Sequence, residues 1–176
     1  MTDRITFTLD GREVTAAPGE SIWEVAKREG TLIPHLCHKD ATGYRSDGNC
    51  RACMVEIEGE RTLAASCIRQ PQEGMVVNAV GDRPTKARKM VIEMLVADQP
   101  EREEARDRSS HFWDMADLQG VADSRFPKIE KERVPLLDDS HAAMRVNLDS
   151  CISCNLCVRA CREVQVNDVI GMAGRG

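Results

Sequence analysis

Eight cysteines fall into two sets of four in a sequence of 176 residues, and their spacing is its strongest chemical signal. Cys37, Cys50, Cys53 and Cys67 are separated by 12, 2 and 13 residues. A C-x2-C pair sets two thiolates on one tight turn, and two outlying cysteines can close a four-thiolate site. Iron–sulfur clusters and structural zinc both accept such a site. The residues around the pair, Asp47 to Cys53, are small and polar, with Gly48 among them. A loop of this kind turns backbone N–H groups inward toward the negative charge of bridging sulfides, which favours a 2Fe–2S cluster over zinc. His35 and His38 flank Cys37, and either could replace a cysteine as ligand. Four cysteines already suffice, so both are read as ordinary loop residues.

Cys151, Cys154, Cys157 and Cys161 follow C-x2-C-x2-C-x3-C. In this run the first three cysteines wrap one 4Fe–4S cube and the fourth ligates a second cube. Arg162 stands where simple ferredoxins carry Pro. The ligand count then fails to close. Cys151, Cys154 and Cys157 supply one cube, Cys161 supplies one ligand of another, and no second run follows before Gly176. The chain is therefore expected to be the front part of a longer polypeptide. The alternative is that all four cysteines hold one cube.

Composition agrees with clusters as organising centres. Three Phe, two Trp and one Tyr are too few for one large aromatic core, so small cores held by something else are expected. No run of about 18 apolar residues exists to span a membrane. The first ten residues lack the apolar core of a secretory signal, so the cytoplasm is the expected compartment, where thiols stay reduced. A net charge of −5 argues against general nucleic-acid binding. The sequence has no glycine-rich phosphate loop, so neither NAD nor FMN is expected on this chain.

The elements that must position the cysteines can be read along the chain. The fold class expected is α+β. Residues 1–81 are read as a β-grasp, 2Fe–2S ferredoxin-like domain. Ile5, Phe7 and Leu9 alternate as in a half-buried strand, Asp10-Gly11 marks a hairpin, and Arg12–Ala16 is its partner. Ser21 and Glu24 have capping-box spacing before a helix Ile22–Glu29, with Gly30 at its C-terminus. A loop from Thr31 to Arg51 follows, then strands around Met54–Ile57, Leu63–Ala65 and Val76–Val80. Residues 82–140 are read as a helical and charged segment. Pro84 suits a helix start, and Met90, Val91, Met94 and Leu95 recur at helical spacing. From Asp98 to Arg133 the mixed charge reads as a solvated linker with short helices. Residues 141–176 are read as the first half of a bacterial-ferredoxin-like 4Fe–4S domain, ending in Gly171, Gly174 and Gly176.

The two cysteine patterns, in this order, resemble the N-terminal electron-transfer region shared by three relatives. These are the large iron–sulfur subunit of complex I, the diaphorase subunit of NAD-reducing hydrogenases, and the alpha subunit of molybdenum- or tungsten-containing, NAD-dependent formate dehydrogenases. The stretch Cys157-Val-Arg-Ala-Cys161-Arg-Glu-Val-Gln165, followed by Asp168-Val-Ile-Gly171, looks most like the last of these. In that family a third cluster is held by one His and three Cys. Here Gln99 stands in the His position, and Glu103, Arg106 and Phe112 stand where the cysteines would fall. The resemblance thus implies a segment kept while its cluster was lost, with His111 an unlikely orphan ligand.

The resemblance implies an oxidoreductase that oxidises formate at a molybdenum or tungsten pterin expected only beyond residue 176. This region would relay electrons to a flavin- and NAD-binding iron–sulfur subunit and carry no catalytic site itself. An NAD-reducing hydrogenase or complex I-like enzyme is the alternative parent. A structural zinc module, colourless and redox-inert, is the rival from another class.

Overall fold

The computed structural model describes residues 4–128 and 137–173. The end of the charged stretch, residues 129–133, and the expected Gly174 and Gly176 lie outside the described residues. The chain divides into two compact units, Met1–Arg88 with Cys154–Gly176, and Lys89–Ser153. These borders do not follow the three stretches read in the sequence, because the residues after Cys154 belong to the first unit.

The first unit is built on a hairpin. Strand β1 (Ile5–Leu9) buries Phe7 and Leu9, and β2 (Arg12–Ala16) buries Val14 and Ala16. The pairing is antiparallel, with Leu9 opposite Arg12. Asp10 and Gly11 at the turn both have positive φ, 49° and 78°, as a two-residue turn matched to strand twist requires. Asp10 does more than turn the chain. Its carboxylate accepts from the backbone N–H groups of Ala79 and Val80 at 2.6 and 3.1 Å, pinning the end of the last strand.

Three further strands, β3 (Met54–Ile57), β4 (Ala64–Ala65) and β5 (Val76–Asn78), complete a sheet of order β2-β1-β5-β3-β4. β5 runs parallel to β1 and antiparallel to β3. Val80, included in the sequence reading of the last strand, lies past its end and is exposed.

Helix α1 (Ile22–Arg28) buries Ile22, Trp23, Val25 and Ala26 in the core that contains the inward residues of the sheet. Its start is the capping box read from Ser21 and Glu24. The Ser21 hydroxyl accepts from Glu24 N, and the Glu24 carboxylate accepts from Ser21 N at 2.7 Å. Gly30, at φ 80°, follows its C-cap. A helix held in a mixed five-stranded sheet is the β-grasp arrangement expected from the sequence.

Helix α2 (Asp82–Ala97) begins in the first unit and runs into the second. Its buried residues are Pro84, Arg88, Ile92, Val96 and Ala97, on a line of i, i+4 steps. The stripe read in the sequence is displaced from this line, since Met90 and Met94 are exposed. The reason is Arg88. Its guanidinium donates to the Met54 carbonyl at 3.1 Å and the Thr85 hydroxyl at 3.2 Å, placing an arginine where periodicity alone prefers a methionine. Burial pushes its pKa below the ordinary arginine value.

In the second unit, α3 (His111–Leu118) buries Phe112, Trp113 and Ala116, and Val121 is buried just after it. The charged stretch therefore has an apolar core of its own and is not simply a solvated linker. Charge and core coexist because the long side chains lie over the rings: Arg102 sits 5.2 Å from the Trp113 ring while pairing with both carboxylate oxygens of Asp117. A hairpin absent from the sequence reading, β6 (Leu137–His141) with β7 (Met144–Asn147), completes the described part of this unit. Its strands are almost wholly exposed, and β6, with Asp138, Asp139 and Ser140 in a row, shows no apolar alternation.

Candidate metal centre

The loop between α1 and β3 brings Cys37 to the C-x2-C pair, and the turn after β4 brings Cys67. Cys37, Cys53 and Cys67 are buried and Cys50 is half-buried. Their sulfurs touch in a chain, with Cys37 in hydrogen-bond contact with both Cys50 and Cys67, and Cys67 with Cys53. Among the described residues, no three His, Cys, Asp or Glu side chains close on the position of a single ion.

Backbone N–H groups point at these sulfurs. Cys37 N donates to the Cys50 sulfur at 3.4 Å, and Ala52 N donates to it at 3.5 Å. The loop conformation that permits this needs residues tolerant of left-handed backbone. Gly48 has φ 64° and Arg51 φ 60°. A Cβ on Gly48 would stand 2.7 Å from the Ile68 Cδ1, the movable tip of an exposed side chain, so it is the positive φ that favours glycine here.

The four thiols divide their protons unequally. Hydrogen bonds from Cys50 and Cys67 pull the Cys37 thiol down to about 2, against the effect of its burial. The donors are pushed up correspondingly, Cys50 by its bond to Cys37 and Cys67 by its bonds to Cys37 and Cys53. Cys53 is drawn down to about 7, first by Cys67 and further by the Ser66 side chain. Four neighbouring sulfurs, three of them buried, linked by hydrogen bonds and met at Cys50 by two backbone N–H donors, fit a thiolate-held cluster. A cluster held here would take these cysteines as thiolates, the ligating form.

His35 and His38 lie beside this site, packed against Trp23. The Trp23 ring centroid is 4.7 Å from that of His35 and 4.3 Å from that of His38, both edge-on. His38 Nδ1 is 2.6 Å from the Ser46 hydroxyl. Burial lowers the His38 pKa, against the pull of nearby Glu24 and Asp40. Both imidazoles thus pack against the Trp23 ring.

The second cysteine set is split between the units: Cys151 lies in the second, and Cys154, Cys157 and Cys161 in the first. Ser153 N donates to the Cys151 sulfur at 3.4 Å. Cys157 is exposed on α4 (Leu156–Arg159), and Cys161 follows on a π-helical turn over Ala160–Val164. Val169 N donates to the Cys161 sulfur at 3.4 Å, and Asn155 at φ 67° sets the turn before the helix.

Of the positions matched to a lost third cluster, Gln99 and Phe112 are buried in the second unit. Phe112 meets Trp113 edge-on at 5.0 Å, and Lys128 donates to the Gln99 carbonyl at 3.2 Å. One residue near the first site escaped the sequence reading. Arg159, between Cys157 and Cys161, is buried and donates to the backbone carbonyl of Cys37. An arginine on a short helix ordinarily signals a solvated face, so nothing in the sequence marks it.

Comparison with known proteins agrees with this geometry. Residues 2–81 match the family described as a 2Fe-2S iron-sulfur cluster binding domain. The chain is 32% identical over 174 residues to the mitochondrial 78 kDa subunit of NADH-ubiquinone oxidoreductase from Candida albicans. It is 30% identical over 177 residues to the NADP-reducing hydrogenase subunit HndD of Solidesulfovibrio fructosivorans. It covers 24% and 30% of these two relatives, so it spans about a quarter of their length. A chain in the crystal structure of an NAD+-reducing [NiFe]-hydrogenase superposes with a TM-score of 0.85 at 31% identity, covering 98% of this chain and 71% of that one. The chain therefore belongs to the family of 2Fe–2S iron–sulfur proteins that includes these subunits of NADH-ubiquinone oxidoreductase and NAD+-reducing hydrogenase.

Proposed function

We infer that the chain is an electron-relay region of a larger NAD-linked oxidoreductase. The single observation that carries this reading is the convergence of Cys37, Cys50, Cys53 and Cys67, three of them buried, in a 2Fe–2S family member. When bound there, a 2Fe–2S cluster accepts and releases one electron without substrate chemistry. The chain's own residues do the rest. Cys37 and Cys53 have their thiols shifted toward the thiolate form, Cys37 N and Ala52 N donate to the Cys50 sulfur, and the core around Trp23 and Ile33 excludes water.

Cys151, Cys154, Cys157 and Cys161 are assigned to 4Fe–4S ligation on the strength of their spacing, with Cys161 directed to a second cube. The three-part division at residues 81 and 140 belongs to the same proposal. The partner is a flavin- and NAD-binding iron–sulfur subunit, and the compartment is the cytoplasm, where free thiols persist. No helix among the described residues is long and apolar enough to cross a membrane.

The parent reaction has two candidates. Formate oxidation at a molybdenum or tungsten pterin is supported by the likeness of residues 157–171 to formate dehydrogenase alpha subunits. Hydrogen or NADH oxidation is supported by the hydrogenase and NADH-ubiquinone oxidoreductase relatives. The test is anaerobic purification of the natural complex that contains this chain. Iron and acid-labile sulfide content, with electron paramagnetic resonance after dithionite reduction, is expected to reveal a 2Fe–2S signal, and a colourless zinc protein would overturn the relay. Adding formate, hydrogen or NADH in turn then identifies the parent, as the substrate that reduces the clusters.

A further inference from the structure

The second cysteine run carries a residue that acts on the first site. Arg159 is 2% exposed, a degree of burial rare for a guanidinium unless it is paired. Its Nη2 donates to the Cys37 carbonyl and its Nη1 to the Arg45 carbonyl. Among the described residues the anion it pairs with is Asp47, at 3.7 Å from Nε. Two carbonyl dipoles and one part-exposed carboxylate at that distance leave a buried positive charge incompletely balanced. The atoms it reaches belong to the loop that presents Cys37 and Cys50.

The contact is part of a wider clamp. Asn155 donates to the Asp47 carboxylate at 3.3 Å, and Arg45 pairs with Glu163 at 3.1 Å. The Val164 Cγ2 lies 3.5 Å from where a Cβ on Gly43 would stand. Residues 155–164 thus grip the loop at its start, middle and end, with Arg159 as the buried member.

We propose that Arg159 is the positioning residue that holds the Cys37–Cys50 loop in its cluster-binding shape and raises the reduction potential of the 2Fe–2S centre. This rests on the electron-relay reading above. A cluster on four thiolates is anionic, and one electron from a reductant makes it more so. A fixed cation nearby therefore stabilises the reduced form, and Arg159 keeps its charge throughout, so the step needs no proton.

The experiment is a mediated redox titration of the reconstituted full chain, followed by electron paramagnetic resonance of the 2Fe–2S signal. Native protein, Arg159→Lys and Arg159→Gln are compared. Arg159→Lys is expected to titrate close to native. Arg159→Gln is expected to show a ratio of reduced to oxidised cluster at least tenfold lower at the native midpoint, which is about 59 mV for one electron. Failure of Arg159→Gln alone to load the first cluster would equally support a charge-held loop. A native midpoint in Arg159→Gln overturns the proposal. So does an equal drop in both variants, or equal loss of cluster and fold in both, because the fixed positive charge would then contribute nothing. Absence of any 2Fe–2S signal from the native chain would sink the relay reading as well, whereas a native signal with no shift in Arg159→Gln sinks only the assignment of Arg159.

Discussion

The sulfurs of Cys37, Cys50, Cys53 and Cys67 share protons before any cluster arrives, and that sharing makes each ligand individually testable. Cys50 and Cys67 donate to Cys37, so replacing Cys67 by Ser removes a proposed ligand and one of the hydrogen bonds that draw the Cys37 pKa down. Cys67→Ser is expected to lose the 2Fe–2S resonance while the chain still folds, checked by far-ultraviolet circular dichroism beside the electron paramagnetic resonance spectrum. A normal signal from this variant would contradict the ligand set.

A second residue-scale expectation concerns Arg102 and Asp117. The guanidinium hydrogen bond holds the Asp117 carboxyl below its ordinary value. A depressed folded-state value means the pairing stabilises the fold above the ordinary carboxylate range and is lost as pH falls through the lowered value. Arg102→Gln is therefore expected to move the Asp117 titration upward, read by carboxyl-carbon NMR. An unmoved titration would show that the pair is not formed in solution. The pair is solvent-exposed, so its effect on stability is small and screened by salt.

At the scale of elements, α1 depends on its reciprocal cap. Ser21→Ala removes the acceptor for Glu24 N and is expected to cost about 1 kcal/mol of stability, measured by denaturant unfolding of the apo chain. A loss within error of zero would mean that the sheet alone holds the helix start. In the second unit, α3 supplies the apolar residues that the surrounding charge conceals. Phe112→Ala is expected to cost about 3 kcal/mol, because a buried ring leaves a cavity as well as losing its transfer energy. Differential scanning calorimetry of the full chain would show this as a lowered transition, and an unchanged one would place Phe112 outside the cooperative core.

Most elements of the first unit were legible because local chemistry and tertiary placement agree. Asp10-Gly11 must turn, Ser21 and Glu24 must cap, and alternation in Ile5–Leu9 must face a core. The hairpin β6–β7 was not legible, since Asp138, Asp139 and Ser140 show no inward face. The α2 stripe was misread for a different reason. Periodicity cannot tell which of two adjacent faces is buried when an arginine finds carbonyl and hydroxyl partners on one of them.

For the molecule as a whole, the association of residues 154–173 with the first unit means that the two cysteine sets are mechanically linked through the loop Cys37–Cys50. Gly43, Arg45, Asp47 and Cys37 all meet the segment that carries Cys157 and Cys161. Deleting the residues after Ser153 is expected to lower retention of the 2Fe–2S cluster, because the loop loses its buried arginine and its flanking contacts. Iron content and visible absorbance after gel filtration, compared with the full chain, would check this. Equal retention would show that the β-grasp holds the cluster unaided.

The sequence by itself proposed the two cysteine sets and their grouping, because the spacing of cysteines on turns limits which thiolates can share a cluster, and it determined the hairpin, the cap and the helix that frame the first set. Those are local facts, written within a few residues of one another. Only the tertiary structure decided that Arg159 points inward, that Arg88 rather than Met90 or Met94 is buried on α2, and that the segment after Cys154 packs with the first unit. Each is a choice between burying a long side chain and leaving it in water. That choice depends on carbonyls and carboxylates brought from as far as 122 residues away, which no local pattern can specify.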